Sequence, residues 1–137
     1  MRNIFLSLGI LLAGCASSGL VYAPAPQEPL DAAKAVRLSG EMVPYEMGFS
    51  GVYDFDGSAV RLAVLSDVGT KLLDMRVMPD KTYVYYRAPK LPARVAAAFG
   101  NLARAYFFRA CAPEQIEYYD KALRATFNVR TQGELCP

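Results

Sequence analysis

Between Gly48 and Arg87 apolar and polar residues alternate in short runs broken by turn residues, the period-2 pattern of half-buried strands. In "GFSGVYDF" Phe49, Gly51, Tyr53 and Phe55 share one face, and Asp56-Gly57 then supplies a two-residue hairpin signal. Val60, Leu62 and Val64 stand opposite Arg61, Ala63 and Leu65; after a turn at Gly69, Leu73, Met75 and Val77 stand opposite Asp74 and Arg76. Pro79 to Lys81 turns the chain again into "TYVYYR". Four strands joined by loops this short predict an antiparallel meander, because parallel neighbours need crossovers of about a dozen residues or more.

The period then changes. Leu91, Val95, Phe99, Leu102 and Tyr106 recur at helical spacing, with Arg94, Asn101 and Arg104 falling elsewhere and Pro92 suited to a first turn. One amphipathic helix is expected there, packed by its apolar stripe on the sheet. Gly100 lowers its intrinsic stability by up to about 1 kcal/mol, so packing must hold it. Further on, Leu123, Ala125, Phe127 and Val129 alternate with Arg124, Thr126, Asn128 and Arg130, a clean strand whose hairpin partner is Gln115 to Tyr119, turned at Asp120-Lys121. Pro113-Glu114 is also compatible with a helix start. Asp31 to Val36 reads as a short helical turn before the first strand.

The N-terminus has a different character. Met1-Arg2 is a short positive start, and Ile4 to Leu12 is an apolar run far shorter than the roughly 20 residues of a membrane-spanning helix. Leu12-Ala13-Gly14-Cys15 matches the lipobox of bacterial lipoprotein signal peptides; the alternative is an ordinary secretory signal with a chance cysteine. The resemblance implies cleavage after Gly14 and acylation of Cys15 on sulfur and amine. Several chains are needed for stable anchoring, each buried methylene giving about 0.8 kcal/mol. In a common sorting pattern of such lipoproteins an Asp after the cysteine retains the protein in the inner membrane; Ala16 follows here, which implies the outer membrane, periplasmic face. Residues 15–35, with Pro24, Pro26 and Pro29, read as a tether able to hold the folded part tens of Å from the lipid at about 3 Å per residue. The expected organisation is therefore a signal peptide over 1–14, a lipidated tether over 15–35 and one domain over 36–137.

Charge and chemistry narrow the function classes. The formal net charge is +2, which implies no steering toward nucleic acid. Histidine is absent, which removes Ser-His and Cys-His nucleophile arrangements and the commonest metal ligand. In an oxidising periplasm Cys111 and Cys136 are most simply paired; two cysteines without histidine are too few soft ligands for a zinc site. Asp54 and Asp56 could make a carboxylate pair or begin a calcium loop, but the further ligands do not follow, and a hairpin turn explains them. Arg94, Arg104 and Arg109 either meet anionic headgroups or form a solvated face. Tyr83, Tyr85, Tyr86, Tyr118 and Tyr119 either pair across strands or mark a second, covered face.

The lipobox, the proline-rich tether, the meander containing "AVLSDVGTKLLDMRV", the helix and the closing hairpin together resemble the lipoprotein-localisation superfamily typified by LolA and LolB, over Arg37 to Arg130. This chain lacks tryptophan and is shorter than those proteins. The resemblance implies an incomplete β-barrel lidded by helices around an apolar cavity. The expected fold is thus α+β, a curved antiparallel sheet of about six strands with the main helix on its concave face. The expected function is non-catalytic binding of an acyl chain or lipidated partner, lined by Leu62, Val64, Leu73, Met75, Tyr85, Phe99 and Leu102, with no cofactor. The alternative is an adaptor lipoprotein that docks on an envelope complex through exposed Tyr and Arg and has a filled core.

Overall fold

The computed structural model describes residues 19–26, 30–31, 34–109 and 111–132. Eight strands and one helix follow in the order β1 (Leu20–Tyr22), β2 (Val36–Val43), β3 (Met47–Phe55), β4 (Val60–Ser66), β5 (Lys71–Val77), β6 (Thr82–Arg87), α1 (Ala93–Tyr106), β7 (Gln115–Asp120) and β8 (Ala125–Gln132). They form one open mixed sheet in the spatial order β1-β6-β5-β4-β3-β2-β8-β7. The meander β2 to β6 is antiparallel throughout, α1 carries the chain back across one face, and the β7–β8 hairpin adds to β2.

The α+β class and the packed helix are as expected, while the sheet has two strands more than about six. One is β2, where Val36, Leu38, Gly40 and Met42 alternate with Arg37, Ser39 and Glu41. The other is β1, which pairs parallel with β6, so the sheet is not purely antiparallel. Leu20–Tyr22, within the stretch expected to be a tether, are therefore part of the sheet. Gly19 accepts a hydrogen bond from the Thr82 N–H at 2.6 Å, Ala23 N–H donates to Val84 O at 3.1 Å, and the Arg87 guanidinium donates to the Tyr22 hydroxyl at 3.0 Å. Between β1 and β2 the Lys34 N–H closes a single turn on Asp31 O, and the strand has already begun at Val36.

Turns follow local chemistry. Asp56 does more than seed a two-residue hairpin: its Oδ1 accepts from Ser58 N, Ser58 Oγ and Ala59 N, closing a four-residue loop with Gly57 at φ +98. The last hairpin turns over Lys121 to Arg124, leaving Leu123 in the loop but buried, and Asp120 caps it by accepting from Leu123 N–H at 2.9 Å.

Where the backbones come closest, side chains are absent. A Cβ on Gly51 would stand 2.2 Å from the Ala63 carbonyl oxygen, and one on Gly40 2.3 Å from that of Asn128. Such close approach of a neighbouring backbone is one that only glycine admits.

Helix α1 lays Val95, Ala96, Phe99, Leu102 and Ala103 on the inner face of the sheet, all buried. Phe99 meets Phe49 edge-on at 5.0 Å and Phe127 at 5.0 Å, a favourable geometry for aromatic rings. At the helix end Phe107 stacks on Tyr53 at 4.0 Å, 10° from parallel. Arg104 ties the last turn to the sheet, donating to Met78 O at 2.8 Å and to Thr82 Oγ1 at 2.7 Å, and burial lowers its pKa from the usual arginine value.

Candidate functional site

Six of the seven expected lining residues are together on the inner face, and one is not. Leu62, Val64, Leu73, Met75, Phe99 and Leu102 are each 0–1% exposed. A side chain bordering a space wide enough for an acyl chain would expose surface to water-sized probes, so these residues fill the interior and leave no such space beside them. Tyr85 lies on the opposite, outer face, beneath the Arg61 guanidinium at 4.9 Å.

The outer face has its own organisation. Asp74, 6% exposed, receives Arg61 Nε on Oδ1 at 2.7 Å and Arg61 NH2 on Oδ2 at 2.9 Å, with Lys71 Nζ on Oδ2 at 3.2 Å. Burial alone would raise the Asp74 carboxyl, but its hydrogen bonds and charge pairing with Arg61 and Lys71 hold it below the usual carboxylate range. Tyr86 lies under Lys71 and Tyr83 under Lys81. The tyrosines of "YVYY" are thus each paired with a cation. The β-bulge between Asp74 and Met75 explains their number on one face, since it puts Tyr86 opposite Asp74 although Val84 stands opposite Met75.

Asp54 and Asp56 do not form a carboxylate pair with chemistry of its own. Asp56 holds its turn and an ion pair with Arg76 at 3.0 Å, and its pKa is lowered chiefly by the backbone N–H groups of Ser58 and Ala59. Arg94 and Arg109 are exposed, whereas Arg104 is spent on the helix-to-sheet contacts. Tyr118 packs inward against Tyr106 and Phe127, and burial raises its pKa. Among the described residues, Tyr53 carries the buried side-chain polar atom that has no hydrogen-bond partner; burial pushes its hydroxyl up to about 12, against a lowering by Arg109. Cys111 is disulfide-bonded, while Cys136, its expected partner, and Cys15 lie outside the described residues.

A concavity of about 670 Å³ lies on the outer face of β2, β8 and β7, edged by Ser39, Glu41, Gln115, Glu117, Asn128 and Arg130. At its far end the register sets Val43 opposite Thr126 and Thr126 opposite Tyr119. Val43 is 40% exposed, Tyr119 56% and the neighbouring Tyr45 48%, with the Tyr45 hydroxyl donating to Leu123 O at 3.2 Å. Arg124, at φ +54, and Lys121 flank this row on the β7–β8 turn. Sequence reasoning singles out Tyr119 but misses Val43 and Tyr45, because they belong to and follow β2, which it does not recognise, and are joined to Tyr119 by cross-strand register. Its signal was present in the alternation of "VRLSGEMV", which puts Val43 on the polar face.

No helix among the described residues is long and apolar enough to cross a membrane. Comparison with protein-family models, with curated proteins and with solved structures finds no match to this chain.

Proposed function

We propose that this protein is a non-catalytic lipoprotein, anchored through Cys15 in the outer membrane on its periplasmic face, that docks a protein partner on the outer face of its sheet. The filled interior carries this reading: the residues expected to hold an acyl chain hold one another instead. An adaptor needs a rigid body and an exposed patch. The row Val43, Tyr119 and Tyr45, beside a polar concavity and flanked by Arg124 and Lys121, has the composition of an interface anchor, aromatic at the centre and polar at the rim. The Leu12-Ala13-Gly14-Cys15 motif supports the lipoprotein reading, and the packed core favours docking over carriage.

A photo-crosslinking residue in place of Tyr119, in the lipidated protein in cells, tests this. The expected result is one discrete protein adduct that Tyr45→Ser weakens several-fold, while the variant keeps its fold by circular dichroism. Lipid adducts in place of protein, together with lipid retained by the Cys15→Ala chain in native mass spectrometry, would return the function to acyl carriage.

A further inference from the structure

Strand β1 fixes more than the edge of the sheet. Its register sets Leu20 beside Thr82 and Tyr22 beside Val84, running in the direction of β6. The chain therefore enters the fold at the end where β6 begins, beside the turn of Met78 to Lys81. Gly19 is already held there by the Thr82 N–H. Four residue steps separate Gly19 from Cys15, and at about 3.5 Å each they span no more than about 14 Å.

The antiparallel register identifies what else lies at that end. Val60 pairs with Val77 and with Phe55, and Val36 with Tyr53, so the Asp56–Ala59 loop and the start of β2 are there. Helix α1 also ends there, since Arg104 bonds Met78 O. Pro79, Arg104 and Phe108 border an open cleft of about 240 Å³ at this end, with Arg109 exposed next in the chain and Lys81 beside the Gly19 entry point. The opposite end holds the β4–β5 turn with Val68, 87% exposed, and the Tyr45 corner of the docking patch. Strands of seven residues put the two ends roughly 25 Å apart.

We infer that the lipid surface lies against the end of the body carrying the β5–β6 turn and the C-terminus of α1, with the Val68 and Tyr45 end directed away from the membrane. The inference rests on the acylation of Cys15, and on β1 staying paired while the protein is anchored. A free tether over 15–35 would leave the body to tumble at tens of Å. A four-residue leash attached to a fixed strand confines it to one side.

The test uses the full lipidated protein in phosphatidylethanolamine–phosphatidylglycerol vesicles, carrying a donor dye at Asp80→Cys or at Val68→Cys and an acceptor dye in the lipid headgroups. Intact mass first shows whether Cys15 carries acyl chains, which separates failure of the anchor reading from failure of the orientation. Energy transfer is expected to be several-fold stronger from position 80 than from 68. Adding Val21→Pro with Ala23→Pro, which removes the Ala23 N–H bond to Val84, should collapse that difference. Equal transfer from the two positions in acylated, folded protein overturns the inference, as does an unmodified Cys15.

Discussion

The two faces of the sheet solve opposite problems with the same strands. On the inner face Val60, Leu62, Val64, Leu73, Met75 and Val77 are all 0–1% exposed and are sealed by α1. On the outer face the alternate residues of β4 and β5 build a charged lattice, Arg61 and Lys71 on Asp74 and Arg76 on Asp56, with tyrosines beneath the cations. The inner face gains stability from the volume its side chains fill. The outer face contributes less to stability per residue and has surface to spare for recognition, which is why the proposed docking is assigned to it.

Substitutions on the two faces should separate these roles. The largest effect is expected from Phe99→Ala, which empties the junction of the Phe49 and Phe127 rings and should cost about 3–5 kcal/mol in a urea unfolding curve. A variant that loses little stability but takes up fatty acid would show the core to be expandable and would blur the contrast. Gly51→Ala comes next: its Cβ meets a backbone oxygen that cannot rotate away, so a cost toward the upper end of the about 1–3 kcal/mol typical of overpacking is expected by thermal denaturation.

Asp74→Asn is expected to be milder, about 1–2 kcal/mol, between the values of surface and fully buried ion pairs. Its pH dependence has a definite sign. The folded carboxyl titrates below its unfolded value of about 3.9, so its contribution is complete above that pH and disappears as the pH falls through the lower folded value. Wild-type stability should thus drop below about pH 4, and Asp74→Asn should flatten part of that drop. Asp56, whose carboxyl is lowered in the same direction, contributes to the remaining slope.

Much of this architecture is legible in the chain because it rests on local rules. Val60, Leu62 and Val64 announce a strand, and Leu91 to Tyr106 a helix, without knowledge of any partner. What escaped depends on distant pairing. Three residues among prolines, Leu20 to Tyr22, become a strand only because β6 offers its edge about sixty residues later. Gly40 interrupts the apolar row of β2 and hides it. Tyr85, expected to line the interior, faces outward because Val84 sets the inward parity of β6 and the cations of β4 and β5 supply the outward partners. Whether a core is full or hollow depends on how side-chain volumes meet, and alternation does not encode that.

The parallel pairing of β1 has a mechanical side. In the proposed arrangement, anchored through Cys15 and docked at the Val43–Tyr119 row, a load enters the fold at Gly19 and runs along the strand direction, so the β1–β6 bonds are pulled in shear and share the force instead of opening one at a time. With only three residues in that ladder, it should also be the first element to yield. Once it has yielded, the leash lengthens by the residues up to Val36, and the body can follow its partner without leaving the membrane.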